Sequence, residues 1–453
     1  MSTLLHWLAT APYQPEIQDK AIVKDQYHYW RLRTLYSMFI GYALYYFARR
    51  SFTFVMPGLI EDLHFEKSEL GILVSILSIS YGISKFTSST LFDRYRFSPR
   101  YFMAFGLIIS GILNIIFGMS SSLIVFAICW GLNGWFQGFG WPPCARLLTC
   151  WYSQNERGSW WSTWSASLNV GAFIIPWLVG ACLFYFDCRA GMYIPGIICI
   201  IGGLFLINRL RDSPQALGLP AIEVYREDFT GVSKKDLNEI PPTFKQLLFD
   251  YVLNNKYIWL LAISYFFIYV VRTGVGEWTA LFLYEEKGYS RLSANGVVSL
   301  FEVGGFCGSL AAGWASDRLF RAKRGPVNVL FAIGLLLTIT MFWWLPENSP
   351  QLASCMMFCI GFMTFGPQML IGLAAAELSH KKASSTASGF VGCISYFGAA
   401  MAGYPLASIA QHHGWNGFFW VLLACAGFAI AMLLPLWNAV KRAEETDPLT
   451  TKA

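Results

Sequence analysis

Two charged stretches, LFDRYRFSPR at residues 91–100 and ASDRLFRAKRG at residues 315–325, resemble each other, and each closes a long apolar run. In both, an aspartate is followed directly by arginine and then by further cations, and Asp93 and Asp317 are 224 residues apart. Nearly the same offset separates three other pairs: Arg49 and Arg272, Pro142 and Pro367, and Arg157 and Lys381. Self-similarity at a fixed offset indicates a repeated architecture. Because the offset is about half of the 453 residues, the sequence predicts two halves built on one plan.

The apolar runs around these stretches are long enough to cross a membrane. Hydrophobic residues make up 55% of the chain and charged residues 13%, whereas charged residues make up about 25% of an ordinary soluble domain. About 20 apolar residues span a hydrocarbon core about 30 Å thick. Such runs lie at 33–55, 69–92, 101–119, 122–147, 158–184, 190–208, 257–283, 292–316, 327–345, 351–376, 385–410 and 416–439. The sequence therefore predicts an all-α membrane protein with twelve transmembrane helices.

A polar stretch separates the sixth apolar run from the seventh. It contains RDSPQALGLP and EDFTGVSKKDLNEIPP, whose prolines, glycines and charges are typical of a linker. We therefore predict a cytoplasmic arm at 1–32, a six-helix bundle at 33–208, a cytoplasmic linker at 209–255, a second six-helix bundle at 256–440 and a cytoplasmic tail at 441–453. Two bundles related by an axis along the membrane normal are a common plan of secondary transporters.

Basic residues predict the orientation of the chain. They are concentrated in the arm, after the second, eighth and twelfth runs, and in the loops after the fourth and tenth runs. By the positive-inside rule these segments and both termini are cytoplasmic. No basic region precedes the short apolar patch at the start of the chain, so we predict no signal peptide. The predicted location is a cell (inner) membrane, with the endoplasmic reticulum membrane as the alternative.

Chemistry-bearing residues in the apolar runs do not indicate an enzyme. The eleven cysteines are scattered without CxxC spacing, and we interpret them as small apolar packing residues. Neither a nucleophile with an adjacent base nor a group of metal ligands is visible in the runs. We therefore predict no catalytic residues, no metal and no cofactor. The net charge of +6 follows from the basic loops and does not require a nucleic-acid partner.

Cations inside the apolar runs are the most informative residues. A charged side chain at the centre of a membrane helix costs about 2.5 to 3.5 kcal/mol on insertion scales, so it usually faces a cavity or a partner. The repeat gives Arg49 and Arg272 equivalent places, and a bundle with this symmetry brings both toward a central cavity. Guanidinium is always charged and binds phosphate oxygens bidentately. Arg50 points about 100° away from Arg49 and is a weaker candidate.

This plan resembles the major facilitator superfamily, and the loops that contain Asp93 and Asp317 resemble its cytoplasmic signature. Within it, GYALYYFARRSF at 41–52, GFGWPPCARLLTCWYSQNERGSWWSTWSASLNVGA at 138–172 and GPQMLIGLAAAELSHKKASSTASGFVGCISYFGAAMAGYPLA at 366–407 resemble the organophosphate:phosphate antiporters. That family includes the bacterial glycerol-3-phosphate and hexose-6-phosphate transporters. The third stretch is most similar to the hexose-phosphate branch, which also includes a sensor. The resemblance spans nearly the whole chain.

The resemblance implies a substrate site and a gate. Arg49 and Arg272 match the phosphate-binding arginines of the family, and the tyrosines at 46, 269 and 396 match tyrosines of its cavity. The predicted substrate-binding residues are Arg49, Arg272, Lys85, Tyr46, Tyr269, Asn169, Tyr396, Tyr42 and Glu302. The predicted gating residues are Asp93, Arg94, Asp317 and Arg318. The alternatives are interhelical packing for each tyrosine, a carboxylate partner for Lys85, and solvated loop charges for the gating residues.

One position departs from the family. Leu168 stands where the bacterial glycerol-3-phosphate and hexose-phosphate members carry a histidine, directly before Asn169. An imidazole there could donate to phosphate and titrate near neutrality. A substrate-coupled histidine protonation is therefore not expected in this chain.

The predicted function is the exchange of a sugar phosphate, with glucose-6-phosphate as the expected substrate, for inorganic phosphate by alternating access. Bound phosphate neutralises the two arginines and lets the halves rock. Glu302 is predicted either to pair with Arg272, which would loosen the requirement for exchange, or to accept hydrogen bonds from sugar hydroxyls. The alternative function is a hexose-phosphate sensor, which would share the binding residues. The expected partners are these small molecules and membrane lipid, and the expected state is a monomer.

Overall fold

A computed structural model describes residues 9–95, 97–228, 252–320, 323–347, 349–379 and 384–437, together with Phe249. The described chain is almost entirely helical. Its α-helices are α1 (Lys20–Leu63), α2 (Lys67–Tyr95), α3 (Pro99–Met119), α4 (Leu123–Gln137), α5 (Trp141–Trp151), α6 (Gln154–Tyr185), α7 (Ala190–Arg209), α8 (Ile222–Arg226), α9 (Lys256–Glu285), α10 (Arg291–Trp314), α11 (Arg324–Trp343), α12 (Pro350–Glu377), α13 (Ser384–Met401) and α14 (Tyr404–Leu433).

These helices confirm the predicted membrane fold. The twelve apolar runs fall on long helices, but the fourth is divided between α4 and α5, and the eleventh, at 385–410, is divided between α13 and α14. Nine helical stretches of the described residues are long and apolar enough to cross a membrane, and the last of them, Ala387–Leu436, includes most of α13 and all of α14. α1 and α2 do not meet it, because their intramembrane cations and polar side chains interrupt the apolar runs.

Two differences from the predicted spans have clear physical causes. The fourth run breaks after Gln137 because Pro142 and Pro143 occupy the first turn of α5, where prolines lack the N–H groups that would continue a helix. α1 contains 44 residues rather than the 23 of the apolar run at 33–55. At about 1.5 Å per residue it is about 66 Å long, so it extends well beyond a membrane core of about 30 Å.

The first of two compact units contains Met1–Val55 and Ser80–Glu239. In it, α3 and α7 approach closely at two glycines: a Cβ atom on Gly111 would lie 2.5 Å from the carbonyl oxygen of Gly196. Small residues at such crossings let membrane helices pack backbone to backbone. The chain before α1 runs beside the segment after α7, where the Gln14 amide donates to the carbonyl of Gln215 over 3.0 Å.

The second unit contains Met56–Ile79 and Ile240–Ala453. It therefore includes the turn between α1 and α2, which is held to α9 and α10 by ion pairs. Lys67 Nζ lies 2.6 Å from Glu285, and Arg291 is paired with Glu61. Ser75 Oγ donates to the carbonyl of Ala400 over 2.7 Å.

Glycines bring α10 and α12 of this unit into close contact. A Cβ atom on Gly304 would lie 1.9 Å from the carbonyl oxygen of Phe358, and one on Gly308 would lie 2.0 Å from that of Phe362. Gly361 on α12 approaches α10 in the same way. The interface is therefore specified by the absence of side chains at these three positions.

Candidate functional site

Arg49 on α1 lies among aromatic rings of the first unit. Its guanidinium carbon is 4.1 Å from the ring centroid of Tyr81 on α2 and 5.9 Å from that of Tyr46 on α1. A cation over an aromatic face gains about 0.5 to 2 kcal/mol, depending on exposure. Ring contacts of this kind orient the plane of the guanidinium group, while its hydrogen bonds are made at the edge.

The backbone of α1 is fixed at the residue before Arg49. The carbonyl oxygen of Ala48 accepts from Nδ2 of Asn114 over 3.0 Å and from Nδ2 of Asn133 over 2.8 Å. Asn114 also accepts from Ser51 Oγ over 2.8 Å, and both asparagines are fully buried. Because the hydrocarbon core offers no water, such groups are satisfied inside the protein. These bonds from α3 and α4 set the depth and rotation of α1 at Arg49.

Lys85 on α2 lies beside an aromatic cluster formed by Tyr42, Trp141 and Trp164. The ammonium nitrogen is 5.5 Å from the ring centroid of Trp141. The ring of Trp141 is 5.2 Å from that of Trp164, which is 4.9 Å from that of Tyr42. Tyr42 is in turn 6.4 Å from Tyr46, whose ring also contacts the guanidinium on α1. Four predicted residues of the first unit thus belong to one continuous group of cations and rings.

Arg272 on α9 has a comparable environment in the second unit. Its guanidinium carbon is 5.4 Å from the ring centroid of Tyr269 and 5.0 Å from that of Phe365 on α12. The ring of Tyr269 is 4.8 Å from that of Tyr265 and 5.6 Å from that of Tyr396 on α13. Three predicted residues, on α9 and α13, are therefore brought together. In each unit an arginine of the membrane region lies over two aromatic rings.

Phe365 is positioned by the close packing of α10 and α12. A Cβ atom on Gly305 would lie 2.6 Å from the Phe365 ring, and the ring of Phe301 is 5.5 Å away in an edge-on arrangement. Glu302, the next residue on α10, is only 3% exposed. The predicted carboxylate is thus buried on the helix that supports the ring beneath Arg272.

The remaining predicted residues have simpler surroundings. Asn169 on α6 is half-buried, and its side chain makes no hydrogen bond to any described residue. Asp317 forms an ion pair of 2.5 Å with Arg324, which also pairs with Glu377 over 3.0 Å, whereas Arg318 is exposed. The side chains of Asp93 and Arg94 lie outside the described residues. The charged loop after α10 is therefore fixed by Arg324 rather than by the adjacent arginine.

Sequence reasoning missed five aromatic residues that contact the predicted ones or belong to the same ring group: Tyr81, Trp141, Trp164, Tyr265 and Phe365. A signal existed for Tyr81, which precedes Lys85 by four residues and so shares its helix face. Trp141 stands in the GWPP motif. Phe365 directly precedes Gly366 and Pro367 on α12, and nothing in that stretch of sequence indicates a contact with α9.

Comparison with known proteins gives one matching family model, the Major Facilitator Superfamily, over residues 38–403. A probable hexose phosphate transport protein of Chlamydia trachomatis is 55% identical over 446 residues, covering 95% of this chain and 97% of the relative. The membrane sensor protein UhpC of Escherichia coli is 45% identical, covering 96% and 99%. A glycerol-3-phosphate transporter of Bacillus subtilis is 39% identical, covering 97% and 100%.

Among solved structures, a bacterial homolog of the human lysosomal transporter Spinster, in an inward-facing and unoccupied conformation, matches with a TM-score of 0.73. The alignment covers 92% of this chain and 99% of that one, at 15% sequence identity. At this identity the likeness concerns the fold alone.

Proposed function

Because the chain belongs to the Major Facilitator Superfamily, and within it to the organophosphate:phosphate antiporter family, we propose that it exchanges a hexose phosphate for inorganic phosphate across a membrane. The identity to hexose phosphate and glycerol-3-phosphate transporters supports transport of a phosphorylated sugar or polyol. Glucose-6-phosphate is the proposed substrate. The chain acts as a monomer in a bacterial inner membrane, with both termini in the cytoplasm.

One observation carries the phosphate part of this proposal. Arg49 and Arg272 stand at equivalent positions of the sequence repeat, 223 residues apart. Each belongs to a membrane helix, and its guanidinium group lies over two aromatic rings. Rings on two helices orient each guanidinium plane, and a planar fork of donors matches the oxygens of a phosphoryl group. We assign both arginines to the phosphoryl group of the substrate. Lys85 adds positive charge beside Trp141.

The sugar is bound by rings and amides. Tyr42 and Tyr46 form part of the ring group of the first unit, and Tyr269 and Tyr396 contact each other in the second. Tyrosine combines an apolar ring with a hydroxyl group, which suits the alternating CH and OH groups of a sugar. Asn169, half-buried on α6, supplies an amide that donates and accepts.

The requirement for exchange follows from the positive charge of the two arginines. The two guanidinium groups carry positive charge at every physiological pH, and two such charges that share one substrate would repel each other without it in a medium of low dielectric constant. Bound phosphate replaces this repulsion with attraction, so its differential interaction with open and closed states drives alternating access. Glu302 keeps two roles in this scheme: it is a counter-ion of Arg272 between transport steps, or an acceptor for sugar hydroxyl groups.

The decisive experiment measures uptake of labelled glucose-6-phosphate into proteoliposomes that contain the purified protein. Liposomes preloaded with phosphate should take up label, whereas liposomes loaded with sulfate should take up at most a few per cent as much. Equal uptake in both would exclude obligatory exchange and support coupling to an ion gradient. Repeating the assay without a pH gradient separates exchange from proton coupling.

A second candidate function is supported by the 45% identity to the membrane sensor UhpC. A sensor binds hexose phosphate through the same residues without moving it. Folded protein that binds glucose-6-phosphate in a calorimeter but moves no label under either loading condition would support the sensor function and exclude transport.

Replacing Tyr81 tests whether the ring over Arg49 contributes to the site. Tyr81→Leu removes the cation–π contact, and we expect the KM of exchange to rise about 3- to 30-fold. Tyr81→Phe retains the ring and should change the KM less than threefold. Tyr13→Leu, at an exposed tyrosine before α1, is the matched control. An unchanged KM in Tyr81→Leu would show that the ring does not orient Arg49.

A further inference from the structure

Arginines gather at the end of α7 in the first unit. Arg209 is the last residue of this helix and Arg211 follows it, while Arg33 on α1 and Arg100 on α3 approach the same backbone. We refer to these four residues as the arginine cluster. The predicted topology places it at the cytoplasmic boundary of the membrane, far from Arg49 along α1.

Backbone carbonyls hold three members of the cluster in place. Arg33 donates through Nε to the carbonyl of Arg209 over 3.2 Å and through a terminal nitrogen to that of Asn208 over 3.1 Å. Arg211 donates through one terminal nitrogen to the carbonyls of Asn208 and Leu210. Arg100 donates through Nε to the carbonyl of Ile207. Cations at a helix C-terminus are favourable because the last carbonyls carry partial negative charge.

Most terminal N–H groups of Arg100 and Arg211 have no acceptor among the described residues. Arg100 makes only its Nε bond, and Arg211 uses only one of its terminal nitrogens. A guanidinium group has five N–H donors in a planar fork. The guanidinium groups of Arg100 and Arg211 are therefore held in place by only some of their N–H donors, and the other donors are available to an anion.

The cluster has an excess of positive charge. None of its members forms an ion pair with a carboxylate within the described part of the chain. The adjacent carboxylate of Asp212 accepts from the amide of Ala11 and from Ser98 Oγ. Burial lowers the pKa of Arg211, and the charges of Arg100 and Arg33 lower it further. Four confined cations of this kind favour a bound anion.

The flank of the cluster is apolar and exposed. Tyr36 on α1 is 41% exposed, and its ring is 6.5 Å from that of Phe205 on α7. Ile201 precedes Leu204 by three residues and Phe205 by four, so its side chain borders both on the surface of α7, and Ile201 and Leu204 are each more than half exposed. In a membrane protein such an exposed apolar surface faces acyl chains.

We propose that the arginine cluster binds the headgroup phosphate of an anionic phospholipid whose acyl chains lie along Tyr36, Leu204 and Ile201. The charge and the open donors select an anion, and the continuous apolar flank selects one that carries hydrocarbon. Basic pockets between membrane helices at the cytoplasmic boundary are a common way to recognise acidic lipids. Arg33 also borders a cavity of about 680 Å³ that Lys24, Tyr29 and Tyr36 line, which leaves room for the rest of a headgroup.

The test compares lipid binding by purified, delipidated protein. Phosphatidylglycerol is titrated in nanodiscs of phosphatidylcholine, and the thermal midpoint and the lipid retained in native mass spectrometry are measured. We expect Arg100→Gln/Arg211→Gln to weaken phosphatidylglycerol binding about 30-fold, at about fivefold for each arginine. The matched control is Arg189→Gln, at the other end of α7, where the guanidinium contacts Ser121. It should bind as the native protein does.

A second variant covers the case in which loss of the carbonyl contacts unfolds the protein. The guanidinium of Arg209 makes no hydrogen bond to any described residue, so Arg209→Gln should fold normally and bind about fivefold more weakly. Unchanged phosphatidylglycerol binding in Arg209→Gln and in the double variant would overturn the proposal. So would a stabilisation by inorganic phosphate in pure phosphatidylcholine that is equal in size and is lost in Arg100→Gln/Arg211→Gln, because the cluster would then bind a free anion.

Discussion

Exchange of glucose-6-phosphate is expected to fall at least about 30-fold when either Arg49 or Arg272 is replaced by alanine. Truncating one partner of a buried, hydrogen-bonded charge pair costs about 2 to 5 kcal/mol, and each 1.4 kcal/mol corresponds to a factor of ten. Both arginines lie over aromatic rings that set the plane of the guanidinium group, so neighbouring side chains do not substitute for either of them. The measurement is the initial rate of uptake into phosphate-loaded proteoliposomes.

Lysine at either position separates the charge of the arginine from its shape. Arg49→Lys and Arg272→Lys retain the positive charge but lose the planar fork and its stacking on the rings. We expect each to retain measurable exchange, about tenfold below the native rate. If lysine restores the full rate, charge alone is sufficient and bidentate recognition of phosphate is excluded.

Controls for this experiment have to separate function from folding. Each variant is first compared with native protein by size-exclusion elution and by thermal midpoint. Arg189→Ala removes an arginine at the end of α7 opposite to the arginine cluster, where the side chain bonds only Ser121 among the residues that the structure describes, and should leave the rate unchanged. Exchange that continues at more than a tenth of the native rate in folded Arg49→Ala and Arg272→Ala would exclude the paired arginines as the phosphate site.

The sequence was sufficient to predict the helices and the repeat. Apolar runs are set by the thickness of the membrane, and the offset between Asp93 and Asp317 needs no structure to be seen. It was not sufficient for the rings around Arg49, because Tyr81 reaches α1 from a different helix. The contact depends on the rotation of α1, which hydrogen bonds from Asn114 and Asn133 fix at Ala48. Such interhelical geometry has no local signature.

The charged loop after α10 is a second case in which the sequence does not predict contacts between helices. Asp317 and Arg318 are adjacent in the sequence and are both predicted gating residues, and neighbours along a helix point in different directions. Arg324, seven residues later at the start of α11, pairs with Asp317 and with Glu377 on α12. Which cation meets the aspartate depends on how three helices meet, and sequence spacing alone does not give this.

The largest stability effect is expected at the crossing of α10 and α12. In Gly308→Ala the new Cβ atom would lie 2.0 Å from the carbonyl oxygen of Phe362, and also 2.6 Å from its Cα. Backbone cannot move aside as a flexible side chain can, so the helices must separate along the whole interface. Overpacking of this kind costs about 1 to 3 kcal/mol. We expect a clear fall in the thermal midpoint of the purified protein, together with slower exchange, because Phe365 and Glu302 lie on the same interface.

Gly313→Ala on the same helix is the matched control. A Cβ atom there would meet only the terminal methyl group of Met369, at an ordinary contact distance of 3.7 Å. Alanine is a better helix former than glycine by about 0.8 to 1 kcal/mol. The control should therefore leave the thermal midpoint unchanged or raise it. A fall of equal size in both variants would show that the effect comes from helix conformation and not from the crossing.

The double variant Gly304→Ala/Gly308→Ala distinguishes a shared interface from two independent sites. A Cβ atom on Gly304 would lie 1.9 Å from the carbonyl oxygen of Phe358, one turn away from the contact of Gly308. Once the first Cβ atom has pushed the helices apart, the second meets a wider gap. The loss of stability in the double variant should then be smaller than the sum of the two single losses. Additive losses would mean that α10 and α12 yield locally at each glycine, and the ring beneath Arg272 would then be insensitive to changes at Gly308.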